Sequence, residues 1–379
     1  MSPSGGFRQG WVIRWLILLS VGIALGCSPV KRIDSSSGEI QIAYFGPDDP
    51  NHPVAGEMWQ AACMALDKAN QIDGFNGRRL RLIPCWAEDP WSGGVNAVTR
   101  AVFNEQVCAV IGGIDGPTTH LAEQVVVKAH LAMINPAATD KTVNLAFVPW
   151  MFSCLPDDQS QSRILAEAID RHLGLSGNFV VLSANDHDSQ LFTVELLRAL
   201  GHLRRNPLRH IQFDSQRPDP ASFDQMGTHA DVLLLIAEPR ISANLLINLR
   251  EKGFTGPVFG GPWMARNLFR RTAGPAAEGV VFPLLWSPST IADRFIADFR
   301  ARTGKNPDYL AAQTYDAVLL LAEAIRKSGP DRLDLIDSIR NRSPWQGIAG
   351  MIQWDPLGRN QRPVILGTIR NGQNYLYSE

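Results

Sequence analysis

Residues 107–139 constrain the fold more than any other stretch, because they predict a strand, a helix and a strand within about 30 residues. Residues 107–112 form a short apolar run rich in β-branched residues, which is typical of a strand buried on both faces. Pro117 then stands at a favoured first-turn position for a helix, and a second strand at 131–135 ends before Pro136. A βαβ unit of this kind predicts a parallel sheet.

The turn after each of these strands lies at the carboxyl edge of the predicted sheet, where open α/β folds bind ligands. The backbone N–H groups of 116–119 are expected to be unpaired at the helix start, beside the hydroxyls of Thr118 and Thr119. The turn at 136–139 adds further N–H groups and the hydroxyl of Thr139. Together these groups suit a carboxylate or a phosphate. The alternative is an ordinary helix start, with Thr139 capping the next turn.

Length and composition permit two domains with buried cores and argue against several classes of function. The chain has 379 residues, of which 45% are hydrophobic and 19% are charged, and its formal net charge is -1. Because the chain carries no basic run with interleaved aromatic residues, nucleic acid is not expected as a partner. Neither G-x-S-x-G nor H-E-x-x-H occurs, so neither an enzyme nor a cofactor is expected.

The first 26 residues resemble a bacterial lipoprotein signal peptide. Two arginines precede an apolar run at 15–26, which is too short for a comfortable membrane span. The run ends in ALGC, and the small residue before Cys27 resembles the box in which that cysteine is lipidated and becomes the new N-terminus. Plain secretory cleavage and a retained anchor are the alternatives, and all three export the protein. Residues 27–38 are predicted to be a flexible tether.

The four remaining cysteines do not indicate a metal site. Cys63, Cys85, Cys108 and Cys154 form no C-x-x-C pair, so zinc is not expected. Cys63 lies in an apolar helical stretch and Cys108 in a predicted buried strand, where free thiols behave as small hydrophobic groups. Because the chain is expected to be exported, a disulfide among these cysteines is an alternative, but their spacing does not show which two would pair.

The rest of the chain continues the strand and helix alternation and predicts two doubly wound α/β lobes. Further strands are expected at 39–45, 79–85, 147–154, 178–184, 210–214, 231–237, 257–261 and 279–285. Helices are expected at 54–70, 160–173, 189–200, 221–229, 240–252, 290–303 and 309–327. A final β-hairpin is expected from residue 347 onward, with its turn at 355–358.

The two predicted lobes exchange chain segments. The strand at 147–154 crosses from the first lobe to the second, and the strand at 279–285 returns the chain. Lobe one comprises 39–153 with 286–346, and lobe two comprises 154–285 with 347–379. Two lobes joined by three crossings suit a hinge that closes on a small ligand.

Six short motifs in the same order as in a known family carry a specific resemblance. They are 39–47 (EIQIAYFGP), 74–78 (GFNGR), 110–119 (VIGGIDGPTT), 134–139 (INPAAT), 314–318 (TYDAV) and 350–358 (GMIQWDPLG). The chain resembles the type I periplasmic binding proteins of the leucine/isoleucine/valine-binding class, which are receptors of branched-chain amino acid ABC transporters. The resemblance covers nearly all of the chain after the signal peptide.

The resemblance implies where lobe one would hold the ligand. In that family, backbone and hydroxyl groups of lobe one bind the α-carboxylate. The matching positions are Gly116, Ala137, Ala138 and Thr139, with Thr118 nearby. Gly116 replaces a family serine, so one hydroxyl is missing although the backbone N–H remains.

In lobe two the chain departs from the family pattern. His187 and Glu238 stand where the family has tyrosines, and Pro262 replaces the acidic residue that binds the ligand ammonium. Trp263, next to Pro262, is expected either to cover an apolar ligand face or to pack in the cleft. His187 is expected to contact the ligand or to be a polar loop residue.

The missing acid leaves open which group would neutralise a ligand ammonium, which needs a negative partner when buried. Glu238 and Asp115 are the candidates. For Glu238 the alternative is a surface pair with Arg240. Leucine, isoleucine or valine is therefore not assigned as the ligand.

The resemblance also predicts partners and location. The protein is expected to be a monomer that binds an amino acid or a similar small carboxylate. It is also expected to contact ABC permease subunits and to attach to a membrane through its N-terminal lipid. The protein is expected in the periplasm or on the cell surface, anchored to a bacterial membrane. A sensor on the same fold, coupled to a signalling partner without transport, is the alternative.

Overall fold

A computed structural model describes residues 38–72, 75–146, 148–217 and 230–378. The predicted signal peptide, Cys27, almost all of the tether and the predicted helix at 221–229 lie outside the described residues. All described residues belong to one compact unit, Ile33–Glu379. In the described part of the chain, no helix combines the length and apolar character that crossing a membrane requires.

The first sheet contains five parallel strands. They are β1 (Glu39–Phe45), β2 (Arg79–Pro84), β3 (Ala109–Gly112), β4 (Ala132–Asn135) and β5 (Met151–Ser153), with α1 (Gly56–Asn70), α2 (Val95–Phe103) and α3 (Gly116–Ala129) between them. The strand order is β2-β1-β3-β4-β5. Alternate side chains of β1 enter different cores: Tyr44 packs with α1, and Phe45 packs with α2. Helices therefore cover both faces, which is why the buried strands are apolar throughout.

The second sheet repeats this topology. Its parallel strands are β6 (Phe179–Ala184), β7 (Arg209–Phe213), β8 (Val232–Ile236), β9 (Val258–Gly260) and β10 (Val281–Leu284). Its helices are α4 (Asp158–Leu173), α5 (His187–His202), α6 (Pro239–Glu251) and α7 (Asn267–Ala273). The order β10-β9-β8-β6-β7 has the same reversal beside its first strand as the first sheet. Both sheets thus have the switch point at which doubly wound folds bind ligands.

The C-terminal elements extend both parts of the molecule. They are α8 (Asp293–Thr303), α9 (Tyr309–Ser328), α10 (Arg332–Arg340), β11 (Trp345–Gly347), β12 (Gly350–Ile352), β13 (Ile365–Arg370) and β14 (Gln373–Leu376). Helix α9 packs along α1 beside the first sheet. Strands β13 and β14 add two antiparallel strands to the second sheet, next to β10.

The prediction of the C-terminal hairpin is wrong in the position of its turn. Strands β11 and β12 pair around Ile348 and Ala349, well before 355–358. The two amides of that turn donate to the buried Asp316 carboxylate of α9, at 3.0 and 2.7 Å, and this contact fixes the reversal. Residues Asp355 and Gly358 do form a turn, but it closes the isolated bridge between Trp354 and Asn360.

Three chain crossings join the two sheets and contact one another. Trp286, after β10, donates its ring N–H to the Ile348 carbonyl at 3.1 Å. Asn360 donates its amide to the carbonyl of Cys154, after β5, at 2.6 Å. The fold prediction is therefore confirmed: two doubly wound parallel sheets joined by a three-crossing hinge.

The described cysteines are free thiols. Cys63 is half-buried, while Cys85, Cys108 and Cys154 are buried. Burial raises the pKa of Cys63 to about 11, that of Cys85 to about 12 and that of Cys108 to about 12. None of the four is bridged within the described residues, and they serve as small apolar groups.

Candidate functional site

A cavity of about 430 Å³ lies between the carboxyl ends of the two sheets. The loops after β1, β3 and β4 form one side, and the loops after β6, β8 and β9 form the other. Its polar lining consists of Asp115, Thr139, Asp186, His187, Asp188, Glu238, Arg240, Arg266 and Tyr309. The cavity thus occupies the place where the strand orders of both sheets predict a ligand.

Most of the residues selected from the sequence meet at this cavity. Those that line it are Asp115, Ala137, Thr139, His187, Glu238 and Trp263. Thr118 and Ala138 are not part of the lining. The Thr118 hydroxyl donates to the Asp115 carboxylate at 2.6 Å, and Ala138 donates its N–H to the Asn135 side chain at 2.8 Å.

The expectation of unpaired amides at the start of α3 is wrong. Asp115 caps the helix: its carboxylate accepts the Thr118 N–H at 2.8 Å, and its carbonyl accepts the Thr119 N–H at 3.1 Å. The Thr118 hydroxyl accepts the Asp115 N–H in return, which completes a capping box. Asp140, rather than Thr139, caps the next turn, because it accepts the Thr142 N–H.

Gly116, which was also predicted to bind the ligand, is buried and is not part of the cavity lining. Its amide is bonded to a carboxylate of the protein. It donates to both Asp188 oxygens, at 3.1 and 3.2 Å, and Asp188 belongs to the first turn of α5. A Cβ on residue 116 would lie 2.3 Å from Asp188 Oδ1, so a larger residue here would displace the Asp188 side chain. Burial, and then the neighbouring Asp115, raise the pKa of Asp188 well above its usual range.

A second buried carboxyl lies behind Thr139. Asp158 donates its backbone N–H to the Thr139 carbonyl at 2.8 Å. Burial raises the pKa of Asp158 to about 8, although the Thr139 side chain acts in the opposite direction by hydrogen bonding. Among the residues that the structure describes, the Thr139 N–H has no partner, and Thr139 lines the cavity. This amide is therefore available to a ligand anion.

Glu238 is a free carboxylate at the opposite wall. It forms no ion pair with Arg240 in the described part of the chain. Partial burial, followed by Asp186 and Asp115, raises its pKa. The three acids Glu238, Asp186 and Asp115 give this part of the cavity a negative potential that suits an ammonium group.

The remaining wall is apolar. Trp263 packs edge-on against Phe192, with ring centroids 5.5 Å apart, and also lines the cavity. It therefore does both of the things expected of it as alternatives: it packs within the second lobe and offers an apolar surface to the cleft. Val54, Ile114 and Leu310 add aliphatic surface on the other side.

Sequence reasoning missed three residues that connect the two sides of the cavity. Asp188 binds Gly116, Asp140 lies 3.0 Å from His187 Nε2, and Arg266 pairs with Asp308. A signal existed for Asp188, since acidic residues favour the first turn of a helix. No local pattern indicates the partners of Asp140 and Arg266.

Comparisons with known proteins agree with this architecture. A family model described as periplasmic binding protein matches residues 39–374. An amino acid binding protein of Pseudomonas aeruginosa is 22% identical over 363 residues, which covers 93% of this chain and 93% of that protein. The matched family and this relative are binding proteins rather than enzymes.

Two solved structures share the fold. A branched-chain amino acid transporter substrate binding protein of Streptococcus pneumoniae, in complex with isoleucine, is 19% identical with a TM-score of 0.80, over 89% of this chain and 97% of that one. A solute binding protein of an ABC transporter from Rhodopseudomonas palustris, in complex with 3,4-dihydroxybenzoic acid, is 18% identical with a TM-score of 0.79, over 90% and 96%. One fold thus holds carboxylates with and without an ammonium group.

Proposed function

Because the chain belongs to the periplasmic binding protein family, we propose that it is the substrate-binding lipoprotein of an ABC transporter. It captures an amino acid or a related small carboxylate between two lobes and presents it to permease subunits. The observation that carries this proposal is the 430 Å³ cavity, which is built from the carboxyl-end loops of both sheets. Lipidation of Cys27 would anchor the protein, as a monomer, to a bacterial membrane, in the periplasm or on the cell surface.

The lobes that close on the ligand are assigned as 39–153 with 286–346, and 154–285 with 347–379. The strands support this division, since β1 to β5 lie within residues 39–153 and β6 to β10 lie within residues 154–285. The hinge contacts between Trp286 and Ile348 and between Cys154 and Asn360 lie at its borders.

The polarity of the cavity supports an amino acid as the ligand. The Thr139 N–H suits the α-carboxylate, because Thr139 lines the cavity and an anion there gains a hydrogen bond. The Thr139 hydroxyl, which bonds Asp158, can add a second hydrogen bond to the ligand. Glu238 and Asp115 stand where a negative partner for the ammonium is needed. The apolar surface of Trp263 suits an apolar or aromatic side chain. These features assign the ligand to a class, amino acids and related small carboxylates.

We expect an amino acid or a small aromatic carboxylate to raise the thermal stability of the purified protein. A ligand that binds only the folded state at a hundredfold excess over its Kd stabilises by about 2.7 kcal/mol. A thermal-shift panel of amino acids, aromatic acids and amines, followed by calorimetry of the hits, measures this. A panel in which no carboxylate shifts the transition would refute the proposed ligand class.

Replacing Thr139 by valine is expected to lower ligand affinity about tenfold or more, because a hydrogen bond to a charged group is worth about 1.5–3 kcal/mol. Calorimetric titration with the best ligand from the panel measures the loss. Thr303→Val is the matched control, since that hydroxyl bonds only the nearby backbone of Phe299 and Lys305 and lies away from the cavity. Unchanged affinity of Thr139→Val would show that the hydroxyl does not contact the ligand carboxylate, which leaves only the Thr139 amide for that contact.

A further inference from the structure

Two histidines and one aspartate converge at the edge of the cleft. His120 Nε2 lies 2.8 Å from Asp140 Oδ2, and His187 Nε2 lies 3.0 Å from the same oxygen. The donor atoms of the three residues all lie within 4.8 Å of one another. His120 is in α3 and Asp140 follows β4, whereas His187 begins α5. The cluster therefore joins elements from both sides of the cavity.

The donor set and its geometry suit a divalent transition metal. Two imidazole nitrogens and one carboxylate oxygen form a three-ligand zinc site, with a fourth position left for water. The two rings have centroids 6.0 Å apart and an interplanar angle of 77°, so they converge on the aspartate without stacking. The side chains of His120 and His187 are 29% and 42% exposed, which leaves a path for an ion to enter.

A surrounding shell of hydrogen bonds orients these ligands. His120 Nδ1 lies 2.7 Å from Glu123 Oε2, and Glu123 is buried. A carboxylate on the far ring nitrogen favours the tautomer that leaves Nε2 for a metal, as in many zinc sites. The other oxygen of Asp140 accepts the N–H and the hydroxyl of Thr142, each at 2.7 Å, so Oδ2 is left facing the two histidines.

Two carboxylates surround this position and favour a cation there. Glu123 and Asp140 contact His120 at 2.7 and 2.8 Å, and both acids are buried. A metal ion held by His120, Asp140 and His187 is therefore stabilised by nearby negative charge.

We propose that His120, Asp140 and His187 bind a divalent transition-metal ion, with Zn²⁺ as the best match, and that Glu123 positions His120. The bound ion links α3 to α5 across the rim of the cleft. The metal site adjoins the ligand cavity, which His187 also lines, but Thr139 is not one of its ligands. Metal binding in the absence of an amino acid therefore tests it independently of the proposed function.

Titration of the purified protein with Zn²⁺ and with Co²⁺ tests the proposal. We expect one equivalent of metal to bind and a visible Co²⁺ spectrum typical of nitrogen and oxygen ligands. Glu123→Gln is expected to weaken binding about 10-fold to 100-fold, and His187→Ala by at least as much. His202→Ala, which changes an exposed histidine at the other end of α5, should leave binding unchanged.

Two results would overturn the metal site. One is the absence of stoichiometric binding by the unaltered protein. The other is equal binding by His187→Ala and the unaltered protein, which would place the ion elsewhere. Because the His187 side chain is 42% exposed, its removal should leave the fold intact, and thermal unfolding without metal checks this. Asp140→Asn supplies a second ligand variant, which should also lose the Co²⁺ spectrum.

Discussion

Replacing Asp308 by alanine is expected to lower the free energy of unfolding by about 3–5 kcal/mol, because it leaves a buried charge without its partner. Asp308 pairs with the Arg266 guanidinium, and the two side chains are only 2% and 6% exposed. Arg266 also donates to the Val54 carbonyl at 2.7 Å. It thereby connects the second sheet, which α7 adjoins, to the loop after β1 in the first.

Asp308 has a second role that adds to this loss. Its other oxygen accepts the N–H groups of Leu310 and Ala311 at 3.1 and 3.4 Å, which caps the start of α9. Loss of such a cap costs about 1 kcal/mol. Nearby Glu57 limits the total, because burial and then Asp308 raise its pKa to about 7. Once Asp308 is gone, Glu57 ionises more readily and offers Arg266 a partial replacement.

Urea unfolding of Asp308→Ala, Arg266→Met and the double variant measures the pair directly. If the cost comes from an uncompensated charge, the double variant should be more stable than Asp308→Ala alone. Asp298→Ala is the control, since the Asp298 pair with Arg294 is exposed and its loss should cost under about 1 kcal/mol. If Asp308→Ala lowers the free energy of unfolding as little as the control does, the buried ion pair does not stabilise the protein.

The periodicity of the sequence was sufficient for most of the fold, because strand and helix patterns are local. The prediction for β1 agrees with the structure at both ends, and the βα alternation correctly predicts parallel pairing of the strands that it joins. The edge hairpin of β13 and β14 was missed, although its signal is present. Asn371 and Gly372 both have positive φ, 49° and 69°, which is the two-residue turn that an Asn-Gly pair favours.

The candidate site was predicted less completely, for a physical reason. Loops at the carboxyl ends of strands can be located from local patterns, which indicated Thr139, and the family resemblance added Glu238 and Trp263. All three line the cavity. Which group satisfies each amide depends on contacts between distant segments. The partner of the Gly116 N–H is 72 residues away, and no local pattern specifies it.

Replacing Asp188 by alanine is expected to raise the affinity for small carboxylates about tenfold or more. The substitution removes a negative charge beside the anion site and frees the Gly116 N–H, which now donates to Asp188. A hydrogen bond to a charged group contributes about 1.5–3 kcal/mol, and 1.4 kcal/mol corresponds to a factor of ten in affinity. Calorimetric titration of both proteins with the same ligand measures the change.

Asp188→Asn is the matched control, because asparagine keeps an oxygen for the Gly116 N–H and loses only the charge. We expect its gain in affinity to be smaller than that of alanine. If Asp188→Ala instead abolishes binding, the carboxylate contacts the positive end of the ligand. Asp188 would then be the acid that replaces the missing family residue at Pro262, and the amide of Gly116 would not be a carboxylate site.

The pH dependence of the free energy of unfolding tests whether the charge of Asp188 destabilises the folded protein. Burial and Asp115 raise the pKa of Asp188 in the folded state, so the ionised form destabilises the fold. This destabilisation is absent below the unfolded-state pKa of about 4 and grows as pH rises toward the folded-state value. Asp188→Ala should therefore lose less stability than the unaltered protein as pH rises from about 4. Parallel stability curves for the two proteins would show that the Asp188 charge carries no cost, and the affinity gain would then come from the freed amide alone.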